Sequence, residues 1–570
     1  MVLQLLQTVA VVSLVYCLGE GLRRLYYHHL SHIPGPKLAA LTWWYEFYFD
    51  VIQPGRYIFK IQELHQKYGP VLRITPDEVH INDVGFLDAV YAPSGARRDK
   101  YDYQLRSLNM PGGVGTTASH EVHRKRREAL APFFSRRNVV HLETLISGKV
   151  EQLCQLVARH AKEKTPVNLS DLFWAFSNDV ANNFLFAHQT DILADEVKAG
   201  TARQNSNELL LGIHVNKHFP WLPRLMESLP SALSKPLMPL GSVYDSVLDS
   251  KVLPPEEKSL RRLQEEGALL VLAGTDSPAK SLAVIFYYLL ANPEIMKKLR
   301  TELDNLSNPN PTWTNLEKLP YLSAVIEEGN RLSFGVTARM ARISNTAYVY
   351  EPSQHANPNP ETSSTIEQRN HWAIPAGTPV SISTLSAHTN PSVYPDPFAF
   401  NPDRWLENTS LKRYQLAFSK GGRKCLGIEL ANAELYLVVA ALVKNFDKLE
   451  LYESDEKVVS FVGDFQVSMP QDPRGLRDLL ENESQDNKAK DEEKGEDEAK
   501  KKAHDQHIGI IRSCSKDETW YFSPKELGAG RITVDSKGGE RRFPAKSPEP
   551  VKKIRVCIAV PPPPPPPPAL

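Results

Sequence analysis

Cysteine is scarce in this 570-residue chain. The five present, Cys17, Cys154, Cys425, Cys514 and Cys557, are scattered and never spaced C-x-x-C. That argues against a disulfide scaffold or a zinc site, and for a reducing compartment around the body of the protein. Net charge is absent too: 67 Lys+Arg balance 67 Asp+Glu, so nothing in the composition points to nucleic acid. No flavin or nicotinamide fingerprint is visible. Two segments lack whole classes of residue. Residues 1–19 hold no charge and are mostly apolar, enough for roughly 28 Å of helix, about one bilayer core. Residues 481–507 hold no aromatic and no branched apolar side chain, so they cannot bury enough surface to fold alone.

What is present is one cysteine in a loop of small and basic residues, Phe418-Ser419-Lys420-Gly421-Gly422-Arg423-Lys424-Cys425-Leu426-Gly427, just before an apolar helical run from Ile428 to Val443. Nearby cations, glycines that allow close backbone approach, and the positive end of a following helix all favour the thiolate over the thiol. Such a sulfur serves as a nucleophile or a metal ligand. The pattern F-x-x-G-x-R-x-C-x-G, filled by Phe418, Gly421, Arg423, Cys425 and Gly427, resembles the haem-binding loop of the cytochromes P-450. Five fixed positions would match by chance in a chain this long with a probability on the order of one in ten thousand. The resemblance implies a mainly α fold with a small β region. It also implies heme b (iron protoporphyrin IX) between a central helix and this loop, with the Cys425 thiolate as axial ligand of the iron.

Further stretches fall in the order that family would require. Ala273-Gly274-Thr275-Asp276-Ser277-Pro278 lies within an apolar helical run, Ser259 to Ala291, and resembles the oxygen-activating segment A-G-x-D/E-T. By that resemblance Asp276 and Ser277 relay protons. Serine replaces the usual threonine and loses the methyl that restricts its rotamers, so a looser relay is expected, and Pro278 favours a kink. Glu328 and Arg331 form E-x-x-R, one turn apart on a helix face. Phe400-Asn401-Pro402-Asp403-Arg404-Trp405 resembles the family's P-E-R-F region, so Glu328, Arg331 and Arg404 are expected as a structural cluster. In the basic run His123-Arg124-Lys125-Arg126-Arg127, Arg127 matches a propionate-binding arginine, while His123 stands where the family has tryptophan. By position Arg342 resembles a further propionate ligand, with Arg339 a substitute, and Arg423 would complete the set. Ser383 to Ser386 are candidates for substrate contact.

The expected organisation is a transmembrane anchor at 1–20, a linker with a proline-rich hinge (Ile33-Pro34-Gly35-Pro36) at 21–36, a haem-thiolate domain at 37–480, and a disordered or low-complexity tail at 481–570 that includes eight consecutive prolines ending at Pro568. A cleaved signal peptide competes with the anchor, but Arg23 and Arg24 follow the apolar run directly and the run is long for a signal. The positive-inside rule leaves the body cytosolic, on the endoplasmic reticulum membrane. By resemblance to the fungal microsomal group of secondary metabolism, the expected activity is monooxygenation of an apolar small molecule, a terpenoid, polyketide or alkaloid. O2 and an NADPH-dependent cytochrome P-450 reductase would be required, the latter docking near Lys420, Lys424 and Arg124. An O2-independent rearrangement or dehydration, or haem binding without turnover, are the alternatives.

Overall fold

A computed structural model describes residues 1–480 except 94, 188–189, 228–249, 307, 309–310 and 357–370. The low-complexity tail expected at 481–570 lies wholly outside the described residues. The principal helices are α1 (Val2–Leu22), α2 (His120–Leu130), α3 (Glu143–Glu163), α4 (Leu169–Phe186), α5 (Glu196–Leu211), α6 (Ile213–His218), α7 (Leu260–Ala291), α8 (Pro320–Ser333) and α9 (Ile428–Asn445). Five short strands, β1 (Val71–Arg73), β2 (Val79–Ile81), β3 (Arg98–Lys100), β4 (Arg342–Ser344) and β5 (Pro379–Ser381), make a sheet in the order β1-β2-β5-β4-β3.

Helix α1 is apolar all round and buries none of its residues, and its helical path continues through a wider turn to Tyr27. It is long and apolar enough to cross a membrane. The expected hinge is pinned to β1: the Arg73 N–H donates to the Pro34 carbonyl at 2.8 Å. A Cβ on Gly35 would meet the Arg73 carbonyl oxygen at 2.4 Å, so this position takes glycine for want of room.

Helix α7 runs for 32 residues through Pro278. Its C-terminal half is nearly all buried, from Pro278 to Leu289, because α4, α8 and α9 pack around it. Gly329 of α8 makes one of these approaches possible, since a Cβ there would lie 2.1 Å from the Ile285 side chain. One continuous apolar core joins α3, α4, α7, α8 and α9.

Beside this core, the Glu328 carboxylate accepts from Arg331 at 2.8 Å on both oxygens, from Arg404 Nε at 3.1 Å, from Trp405 Nε1 at 2.9 Å and from the Asn401 N–H at 2.9 Å. Arg331 spends its remaining donors on the His388, Pro397 and Ala399 carbonyls. Glu328, Arg331, Arg404 and Trp405 are all buried, so removal of the single acid strands two guanidinium groups. Glu328→Ala is expected to cost about 3–5 kcal/mol or to prevent folding. Denaturant unfolding, compared with Glu328→Gln, checks this.

Candidate functional site

The cysteine loop is built by backbone contacts. Gly421 has φ +68°, and a Cβ there would fall 2.0 Å from the Ala92 carbonyl oxygen, so only glycine fits. The Cys425 N–H donates to the Phe418 carbonyl at 2.8 Å, closing the loop ahead of α9, whose N-cap is Gly427. Phe418 is half-buried beneath it. Cys425 keeps an exposed surface, yet the protein packed around it makes desolvation the larger effect and pushes its thiol up. The Gly427 N–H and the Arg127 guanidinium pull the other way. In the protein alone burial outweighs the loop's cations, and a bound metal would add the further pull toward the thiolate that the sequence leads one to expect.

Basic side chains converge beside this loop from four separate elements. Arg423 donates to the Thr117 carbonyl at 2.7 Å and the Ala118 carbonyl at 2.8 Å, and its Nε has no partner among the described residues. Arg342, on β4, donates to the Met340 carbonyl at 2.7 Å, and one of its terminal nitrogens has no partner among the described residues. Lys100, on β3, is its cross-strand neighbour and donates to the Gly115 carbonyl. His123 is buried on α2.

Burial lowers all four, and the cations among them add to it. Burial and the two arginines hold Lys100 well below its usual value. Burial, Arg423, Lys100 and Arg127 take His123 down to about 2. Arg423 is lowered to about 10 by burial and Arg342, against which Asp99 offers the one opposing pull. Arg127 reaches the Lys424 carbonyl at 2.7 Å.

Sequence reading missed Lys100, whose three-residue strand carries no motif; its pairing with Arg342 reveals it only in three dimensions. Arg339 lies elsewhere, paired with Glu46 and Glu78. Arg126, mid-run, turns inward to Glu257 and Thr117, as the helical period of α2 dictates. Ser383 and Ser386 are buried, and Ser383 caps a short helix at Thr384–His388 by accepting from the Ser386 N–H.

Asp276 and Ser277 take different partners, and no hydrogen bond joins them. Asp276 accepts from Trp174 Nε1 of α4 at 2.9 Å and from Ser206 of α5 at 3.1 Å, whereas the Ser277 hydroxyl donates back to the Ala273 carbonyl at 2.8 Å. Neither Trp174 nor Ser206 sits in a motif, and both were missed. Asp276 borders a cavity of about 340 Å³ that has an apolar wall, including Met110, Leu209 and Leu272, and a polar one, including Asn178, Ser206 and Thr275. Burial raises the acid to about 6 against the pull of its two donors.

The sequence model of the cytochrome P-450 family matches residues 36–252, 242–351 and 358–476. The chain belongs to that family, and with it to the haem-thiolate monooxygenases. More particularly, it is 36% identical over 520 residues to the cytochrome P-450 monooxygenase tpcC of Cochliobolus heterostrophus, covering 83% of this chain and 96% of that one. It is 39% identical over 443 residues to astB of Talaromyces wortmannii, covering 75% and 85%, and 30% identical over 504 residues to TRI4 of Trichoderma arundinaceum, covering 82% and 94%; both are cytochrome P-450 monooxygenases. Membership implies a haem ligated by a cysteine thiolate, and a redox partner acting with O2 and a substrate.

The raised Asp276 carboxyl has a consequence for stability. Its folded value, about 6, exceeds the ordinary 3.8, so ionisation favours the unfolded chain as pH rises between those values. Asp276→Asn removes that penalty while keeping an acceptor for Trp174 and Ser206. The variant is expected to match the wild type near pH 4 and to exceed it by up to about 2–3 kcal/mol above pH 7, as read from paired denaturant melts.

Proposed function

We propose that Cys425 is the axial ligand of heme b and that Lys100, His123, Arg127, Arg342 and Arg423 hold its two propionates. The observation that carries this is the nest of basic groups beside the cysteine loop. Its members repel one another, and two guanidinium groups keep donors without partners among the described residues. Unbalanced cations in a poorly hydrated site fit a guest with two carboxylates. His123 can still donate to a propionate where the family has tryptophan, and Lys100 adds a charge beside it. Glycine at 421 and 427 leaves the loop without side chains on either flank of Arg423 and Cys425.

The reaction class is RH + O2 + 2 electrons + 2 protons giving ROH and water, on an apolar small molecule of fungal secondary metabolism. When bound, the haem supplies the redox-active iron at which O2 is activated. The chain's own part is to hold that group by Cys425 and the basic nest, to keep a protonatable carboxyl at Asp276, and to offer the Ser277 hydroxyl near it. An apolar helix at the N-terminus supports an endoplasmic reticulum anchor with a cytosolic body. An NADPH-dependent cytochrome P-450 reductase would dock where Arg124 and Lys424 are exposed. The separation of Asp276 from Ser277 favours one competing reading, O2-independent rearrangement or dehydration, which turnover without reductase would identify.

The decisive experiment is the spectrum of dithionite-reduced protein with carbon monoxide. A red-shifted Soret band, lost in Cys425→Ala, is expected; haem bound without that shift, or no haem, overturns the assignment. Ser277→Thr restores the methyl that limits the rotamers. It is expected to raise the share of NADPH electrons recovered in product about twofold, measured against peroxide release.

A further inference from the structure

A second cluster of charges, away from the cysteine loop, joins segments far apart in sequence. The Lys217 ammonium on α6 lies between Glu46, at 2.7 Å, and Asp50, both from the helical turns spanning Trp44–Phe47 and Tyr48–Ile52 that follow the N-terminal linker. Arg339 reaches the same Glu46 at 2.5 Å and Glu78 of the sheet region at 3.3 Å. All five groups are less than a tenth exposed. Burial pushes Glu78 up, which relieves the excess of carboxylates, while the paired cations hold Glu46 well below the carboxylate range.

The cluster also grips the segment leading to Met110. The Tyr103 hydroxyl donates to Glu46 at 3.1 Å, Gln104 donates to Glu78 at 2.9 Å, and Asn216 of α6 donates to the Ser107 carbonyl at 3.3 Å. Two walls of the 340 Å³ cavity against α7 stand on these elements: Met110 on one, and Ser206 and Leu209 on α5, which runs into α6 through Gly212 alone. The other walls, α4 and α7, belong to the main core. Helix α6 has six residues, far too few to hold its place by backbone bonding, so its position depends on what its side chains grip.

We propose that the Lys217–Glu46–Asp50 cluster is a latch on passage of bulky ligands to the reaction site. This rests on the haem-enzyme reading above. With the latch seated, α6 and the Tyr103–Met110 segment are drawn against the N-terminal turn. A substrate-sized molecule passes only in the rarer state in which the ammonium and its carboxylates have parted and been hydrated. Separating buried opposite charges is slow and costly, and because the latch contacts no ligand it alters how fast a ligand arrives and leaves more than how tightly it is held.

The test is stopped-flow binding of clotrimazole and of imidazole to the haem-loaded full chain, comparing wild type with Asp50→Asn/Lys217→Met, which removes one charge of each sign, and with the milder Tyr103→Phe. The double variant is expected to raise the association and dissociation rates of clotrimazole together by about tenfold, and Tyr103→Phe by about threefold. Imidazole rates and the carbon monoxide spectrum should be unchanged. Unchanged clotrimazole rates in whichever variant folds with haem, or equal acceleration of both azoles, would overturn the latch. Failure of wild type to give any azole spectrum would instead overturn the haem reading.

Discussion

Like charges brought together out of water must weaken one another or be neutralised, and that constraint governs the cysteine side of this molecule. Lys100, His123, Arg342 and Arg423 come from a strand, a helix, a second strand and a loop, yet Arg342 lowers the proton affinity of Lys100 and Arg423, and Arg423 and Lys100 lower that of His123. Strand pairing sets Lys100 opposite Arg342. Arg423 ties the cysteine loop to the Thr117 and Ala118 carbonyls, so the geometry of Cys425 and that of the nest are one problem. Two further charged clusters differ in kind. Around Glu328, and around Glu46 with Lys217, both signs are present and the donors are spent internally. The mixed-sign clusters close on themselves, whereas the nest beside the cysteine loop, where Asp99 opposes the cations, leaves guanidinium donors without partners among the described residues.

Legibility in the sequence followed locality. The cysteine loop and E-x-x-R are short patterns whose members lie within ten residues, so their chemistry could be read directly, and the apolar periodicity gave α7 and α9 to within a few residues. The helical body followed from the same patterns. What stayed hidden depends on contacts between distant segments. Lys100 is unremarkable until β3 pairs with β4, and the roles of Arg339 and Arg342 part only because the strand begins at Arg342 and Arg339 precedes it. Trp174 and Ser206 are ordinary residues of their helices until both reach Asp276. The loop's cations were visible, but their effect on Cys425 was not, since sequence shows charge and hides desolvation.

The acid and the alcohol of α7 sit next to each other in sequence, yet successive residues of a helix point about 100° apart, so one side chain cannot serve both flanks. Asp276 turns to α4 and α5, where burial raises it toward neutrality and two donors hold it. Ser277 turns its hydroxyl to a carbonyl one turn back, and Pro278 offers no N–H of its own to that stretch of helix. A proton held at Asp276 therefore reaches the opposite flank of α7 only if a side chain changes rotamer or water bridges the gap. Serine, with no γ-methyl, rotates more freely than threonine, and the polar wall formed by Asn178, Ser206 and Thr275 gives water the several partners it needs. A freely rotating hydroxyl and a buried carboxyl held near neutrality are thus complementary: the serine can make the rotamer change that the geometry of α7 requires, which a threonine would restrict.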